Sequence, residues 1–372
     1  MIHLRLAKVE DVAGFSVTNV EKGNYFWLLV KGSITSDQPE FHTYIEQFES
    51  VLLNKAGVLP NSVYQFLAVI HEDLSSDLYI NDFMVEIELM AKRDIQKAEH
   101  VALTDIADIR KLRFPEISVA PTDRVIYCFK GNWKFGLFFD LTRELNVDQM
   151  ELDLGQLFRL LAFQHVYESL ESESQFEAMK KDGWFPFIEI AGHEYKILLR
   201  CYENKFNFES QIDEIVKSFD QKRIEKITSK WWRKQIFAEK KDTLQAGVNA
   251  FLRGDKEGNI SCIKTLLSEA EGIMRIQYLR DTGRGKNTRV QELLTYIVEI
   301  GRKKSGSNYS LFLPAKFFEY LRDVTFAQFD LEADKVDLSR HSSSHGVAKP
   351  ESYTGAKALQ AILILDQLYF YM

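Results

Sequence analysis

The spacing of apolar residues changes part-way along the chain, and that change limits the fold more than any other feature. Up to about residue 150 the apolar positions tend to alternate. Val125, Tyr127 and Phe129 alternate with other residues, Gly131-Asn132 supplies a turn, and Trp133, Phe135, Leu137 and Phe139 alternate beyond it. Period two around a turn dipeptide predicts an antiparallel hairpin. Residues 84–90 alternate in the same way, and Tyr25-Phe26-Trp27-Leu28-Leu29-Val30 is an apolar run of strand length. A helix is predicted over residues 152–170, and from about residue 154 the period is helical. Ile260, Ile263, Leu267, Ala270 and Met274 make one apolar stripe, and Val290, Leu293, Leu294, Ile297 and Ile300 make another. Pro314 suits the first turn of a helix, with Phe317, Phe318, Leu321 and Val324 following at helical spacing. Residues 353–372 are apolar nearly all round, which predicts a central helix in a bundle. The expected fold class is therefore α+β. An α+β region with a hairpin spans residues 1–150, a helical connector residues 151–205, and an all-α helical bundle residues 206–372.

A chain of 372 residues, at roughly 150 per domain, suggests two to three domains. The 47 Lys and Arg against 54 Asp and Glu give a net charge of −7, which excludes a chain that coats nucleic acid along its whole length. The charge is uneven. Residues 1–200 carry 20 basic and 31 acidic side chains, a net of −11, and residues 201–372 carry 27 and 23, a net of +4. With 45% hydrophobic and 27% charged residues, disorder is excluded too. Cys128, Cys201 and Cys262 are odd in number and lack metal-ligand spacing, which argues against a disulfide framework and fits a reducing compartment. Residues 1–10 do not read as a signal peptide. The most apolar stretch, residues 361–372, is interrupted by Asp366 and Gln367 and is too short to span a bilayer. A soluble cytoplasmic protein with no membrane partner is the expectation.

One constellation carries chemistry. Arg340-His341-Ser342-Ser343-Ser344-His345-Gly346 lies just before the apolar last helix and gathers an Arg, two His and three hydroxyls into seven residues. An Arg and a His five positions apart can converge on one phosphate. The guanidinium fork holds phosphate oxygens, and a His titrating near neutrality takes or gives a proton. That pairing suits cleavage of RNA by its own 2′-hydroxyl, which needs a base, an acid and charge stabilisation but no metal. Taken bare, the same spacing also describes a polar loop whose Arg and His cap helix ends.

In its setting the motif resembles the HEPN superfamily, whose signature is R-x4-6-H with a polar residue after the Arg. Here those positions are Arg340, His341 and His345, with Gly346 after the His and the apolar helix closing the bundle. A second stretch shares the resemblance: Phe251-Leu252-Arg253-Gly254-Asp255, then Ile263, Leu266 and Leu267, then Glu269-Ala270-Glu271-Gly272-Ile273. Together they cover about residues 205–372, while residues 1–150 resemble no family. The resemblance implies a metal-independent endoribonuclease with no cofactor, a homodimer through the C-terminal bundle, and a role as a toxin or in phage defence. It implies Arg340 and His345 as the catalytic pair, His341 in support, and Glu271 orienting the motif from a neighbouring helix. Val347 stands where some such toxins carry a Tyr that a partner nucleotidyltransferase modifies, so that regulation is not expected. The N-terminal half is left to supply a sensor, a surface for a regulatory protein partner, or substrate selection. The main alternative is a non-catalytic module that keeps the bundle and binds RNA, a nucleotide or a protein. A third reading is a purely structural protein.

Other clusters read two ways. Arg280, Arg284, Lys286 and Arg289 form a basic, Gly-containing loop, and Arg302, Lys303 and Lys304 a second cluster. Both can grip an RNA backbone or sit solvated at helix ends. Lys230-Trp231-Trp232-Arg233-Lys234 can stack nucleobases, or bury one Trp and lay Lys stems over the other. Gly183-Trp184-Phe185-Pro186-Phe187 reads as a packing segment between the two parts. The remaining histidines are scattered without metal-ligand spacing.

Overall fold

A computed structural model describes residues 1–6, 15–16, 19–29, 31–285, 288–330 and 337–372. The chain divides into two compact units, residues 1–89 with 109–164, and residues 90–108 with 165–372. The helical stretch at 151–205, expected as a connector, is split between them.

In the first unit the strands are β1 (Ile2–Arg5), β2 (Phe15–Ser16), β3 (Leu28–Leu29), β4 (Lys31–Thr35), β5 (Gln65–Ile70), β6 (Ser75–Ile80), β7 (Glu86–Ala91), β8 (Ile106–Arg113), β9 (Arg124–Gly131) and β10 (Lys134–Asp140), with β7 and β8 crossing the division. Six of them form one antiparallel sheet in the order β1-β6-β5-β9-β10-β4. β2–β3 and β7–β8 are separate two-stranded ribbons. Of the apolar run at 25–30, only Leu28–Leu29 is strand, and Val30 lies outside the described residues.

The β9–β10 hairpin forms where alternation predicts it, with a shifted turn. Gly131 pairs with Lys134, so the loop is Asn132-Trp133, and Asn132 takes the left-handed φ of 55°. Trp133 therefore projects into solvent instead of continuing the stripe. Both faces of this hairpin are buried. Phe66, Ala68, Ile126, Cys128, Leu137 and Phe139 pack on the helix α1 (Pro39–Phe48). Leu67, Val69, Val125, Tyr127, Phe129 and Phe138 face the opposite core with α2 (Val147–Ala162). Gly155 lets α2 lie close on β8, because a Cβ there would meet the Arg110 carbonyl at 2.3 Å.

The second unit is helical: α3 (Gln164–Glu171), α4 (Glu173–Lys181), α5 (His193–Asn204), α6 (Phe208–Ser218), α7 (Gln221–Ser229), α8 (Gln235–Ala238), α9 (Lys241–Leu252), α10 (Lys256–Thr282), α11 (Val290–Ser305), α12 (Pro314–Tyr320), α13 (Arg340–Ser344) and α14 (Gly355–Tyr371). The helix predicted over 152–170 is thus two helices, broken at Phe163. α14 is central, as its all-round apolarity predicts. Residues 358–368 are buried, flanked by α6, α9, α10 and α11. Asp366 is buried in this helix because Lys230 Nζ lies 2.9 Å away and Trp231 Nε1 donates to it at 2.9 Å. Trp231 is therefore a core residue, while Lys241 lies over the Trp232 ring. The Gly183–Phe187 segment packs inside this unit, with Phe185 against Phe317 and Tyr320. Among the described residues, no helix is long and apolar enough to cross a membrane.

Candidate active site

The motif forms a helix of only five residues, α13, and its serines explain why it is helical at all. Ser339 is the N-cap: its Oγ accepts from the Ser342 N–H at 3.2 Å, while Ser342 Oγ accepts from the Ser339 N–H at 2.9 Å. This reciprocal pairing satisfies donors that a helix start leaves open. Ser342 Oγ also donates to the Asp337 carbonyl, and Ser339 Oγ to the Ala327 carbonyl. Ser339, Ser342 and Ser343 are buried. Two of the motif's three hydroxyls are engaged, Ser342 as described and Ser343 Oγ accepting from the Tyr353 hydroxyl at 3.3 Å. His345 ends the helix, its N–H donating to the His341 carbonyl at 3.0 Å, and Gly346 turns the chain away at φ 72°.

The side chains left to act are Arg340, His341 and His345. Arg340 is ion-paired with Glu271 of α10, with Nε and Oε2 2.6 Å apart. The Glu271 carboxylate is buried and held from its other oxygen by Arg275, one helical turn on, whose Nε donates at 2.8 Å. Arg275 Nη1 donates in turn to the Thr288 carbonyl at 2.8 Å. A polar chain thus runs from the motif through α10 to the base of the basic loop. Two guanidiniums share one carboxylate, so the cluster keeps an excess of one positive charge. The Arg340 side chain is 26% exposed, which leaves part of it open to solvent.

His341 sits beside this cluster, half-buried, with its Nε2 enclosed and without a hydrogen-bond partner among the described residues. Burial lowers its pKa from the usual 6.5, the charge of Arg340 lowers it further against a smaller opposing pull from Glu271, and His345 adds the least. The shift favours the neutral ring, which has both motif partners for electrostatic neighbours. His345 is exposed, its ring 5.7 Å from that of Phe329.

The sequence-predicted residues divide accordingly. Arg340 and Glu271 are paired with His341 beside them, while His345 at the end of the helix has Phe329 as its ring neighbour and acts electrostatically on His341. Arg284 and Arg289 are exposed on the loop after α10, and Arg280 at its start is ion-paired with Glu239. Lys286 lies outside the described residues. Arg275 and the Thr288 carbonyl were not anticipated, although Glu271 and Arg275 stand at the i, i+4 spacing that pairs charges on a helix. A cavity of about 780 Å³ between α4, α6, the turn after α12 and the start of α14 reaches Asp337 and Leu338, two residues short of the motif helix. Among the described residues, no three His, Cys, Asp or Glu side chains are gathered as metal ligands would be.

The chain matches no family model, no curated protein and no solved structure.

Proposed function

We propose that this chain is a metal-independent endoribonuclease of the HEPN type, with Arg340 and His345 as its catalytic pair. One observation carries the reading: the polar chain Arg340–Glu271–Arg275–Thr288 joins the motif to the loop bearing Arg284 and Arg289. A phosphodiester gripped by those loop cations would lie along a path that leads to the motif.

In this reading the RNA 2′-hydroxyl loses its proton and its oxygen attacks the adjacent phosphorus. The bond to the 5′-oxygen breaks, that oxygen takes a proton, and the products are a 2′,3′-cyclic phosphate and a 5′-hydroxyl. His345 exchanges the proton. Arg340 faces the charge that accumulates on the phosphorane. Glu271 holds the guanidinium in register, and neutral His341 lowers the local charge that would otherwise repel a protonating His345. A second copy, paired through the helical unit, would supply the matching motif. Service as a toxin or in phage defence, inside the cytoplasm, follows from the same reading.

The second reading is a non-catalytic module that binds RNA, a nucleotide or a protein. It is favoured by the Glu271 carboxylate seated on Arg340, which also serves simply to pin α13 onto α10. Purified protein incubated with mixed RNA in EDTA separates the two. Cleavage by the parent, with cyclic-phosphate ends and none from Arg340→Ala or His345→Ala, supports the enzyme. Intact RNA throughout, or equal cutting by all three proteins, overturns it.

A further inference from the structure

The first unit holds a small apolar cavity of about 310 Å³ with one carboxylate at its edge. It lies between α1 and the sheet. Phe41 and Ile45 of α1 and Leu53 beyond it line one wall, and Phe66, Cys128 and Phe135 of β5, β9 and β10 line the other. Phe41, Leu53, Phe66 and Cys128 are at most 5% exposed, so this is an opening into the core.

Glu49 breaks the pattern. Phe41, Ile45, Glu49 and Leu53 stand four residues apart, a spacing that puts them on one helical face. Three are apolar, and the fourth is an acid where a core-facing stripe calls for another hydrophobe. The helix also changes here. Residues Glu49–Leu53 form a π turn, with the Asn54 N–H donating to the Glu49 carbonyl at 2.9 Å. Such wide turns are uncommon and recur at functional sites. Among the described residues the Glu49 carboxylate has no hydrogen bond and no ion pair, and no Lys or Arg lines the cavity. Burial and neighbouring Glu46 raise its pKa. The half-buried carboxylate borders an apolar wall with no cation beside it, and a cationic ligand would give it a partner while an apolar body fills the cavity.

We infer that this cavity binds a small amine: an apolar, ring-sized body between Leu53, Phe66 and Phe135, with its ammonium group on Glu49. The volume lies at the lower end of the roughly 300–1,000 Å³ typical of ligand sites, and mostly apolar walls with a few polar groups, here Glu49 as the one charge with Asn61 and Gln65 beside it, are their usual make-up. An anion is disfavoured because nothing in the lining offsets Glu49. The inference is independent of the ribonuclease reading, since every lining residue belongs to the first unit.

Ligand-observed NMR and calorimetry on the full chain test it, with 2-phenylethylamine, 2-phenylethanol and phenylacetate as probes. The amine should bind about tenfold more tightly than the alcohol (about 1.4 kcal/mol), and phenylacetate should not bind. Glu49→Gln should bring the amine down to the level of the alcohol, and Leu53→Trp, which fills the space, should remove both. Glu49→Lys changes only the rim and guards against misfolding of the filled variant; it should transfer preference to phenylacetate. No amine binding to the parent, equal binding of all three probes, or amine binding unchanged in Glu49→Gln and Glu49→Lys would each overturn the inference.

Discussion

The first unit surrounds a half-buried histidine with carboxylates, and the second surrounds two buried carboxylates with cations and donors. His71 lies between two carboxylates, with Nδ1 2.9 Å from Asp123 and Nε2 3.3 Å from Asp77. In the second unit Asp366 is held by Lys230 and the Trp231 N–H, and Glu271 by two guanidiniums. By sequence the charge is −11 over residues 1–200 and +4 over the rest, halves that do not coincide with the two units. A net charge of −7 for the whole chain therefore says little about any one site. The cluster at Arg340 keeps a positive excess inside an acidic protein, because electrostatics at hydrogen-bond distance outweigh charges beyond a Debye length of about 8–10 Å.

The largest expected effect sharpens this contrast at the motif. His345→Ala should lower RNA cleavage by roughly 10²–10⁴-fold, and Arg340→Ala by about 10²–10³-fold, with circular dichroism unchanged. Glu49→Gln, in the other unit, should leave cleavage as it was. Loss of cleavage in all three would mean that the two units do not divide the work in this way.

The next effect concerns stability. Asp366→Ala leaves Lys230 in a buried setting without its partner, and such losses run at about 3–5 kcal/mol. Leu137→Ala, which opens a hole under the sheet, should cost about 2–5 kcal/mol. Urea unfolding measures both. A change under 1 kcal/mol for Asp366→Ala would show that water or a neighbouring group replaces the pairing.

The two histidines should respond to pH with opposite signs. Burial alone would lower the pKa of His71, but the hydrogen bonds and charges of Asp123 and Asp77 raise it overall. Its contribution is complete below the unfolded value, roughly 6.5, and is lost as pH rises through the higher folded value. His341 is shifted down, chiefly by burial and by Arg340. Its folded site favours the neutral ring, so its contribution is complete above roughly pH 6.5 and is lost as pH falls toward the lower folded value. NMR titration of both rings, with unfolding of His71→Gln and His341→Gln between pH 5 and 8, checks the signs. Shifts in the same direction would break the comparison.

The smallest effect is local. Thr354 caps α14, accepting from the Lys357 N–H at 3.3 Å, and Asn146 caps α2, accepting from Gln149 at 3.0 Å. Thr354→Ala and Asn146→Ala should each cost about 1 kcal/mol by thermal unfolding.

Much of the helical unit was legible in the chain. The stripe through Ile263, Leu267, Ala270 and Met274 is the buried face of α10, Pro314 begins α12, and Asp255 caps α10 after Gly254 turns the chain at φ 69°. These are local rules, carried by residues a few positions apart. The sheet was legible only at its hairpin. Strand order joins β5 to β9 across more than fifty residues, and alternation cannot say which distant strand will be the neighbour. Nor could it show that both faces are buried, since that depends on α1 and α2 covering opposite sides.

The same division runs through the candidate site. Arg340, His341 and His345 are neighbours in sequence, so their grouping was visible from the start, as was the apolar helix behind them. Glu271 was implied only by the resemblance and not by spacing, because it stands 69 positions earlier and reaches Arg340 through the packing of α13 on α10. The extension through Arg275 to Thr288 depends on the same contact. By itself the sequence determined the apolar stripes of α10 and α11, the central last helix, the hairpin and the residues of the motif, all governed by short-range spacing. Only the tertiary structure decided which charge faces which, because an ion pair forms at a few ångströms whatever the separation along the chain.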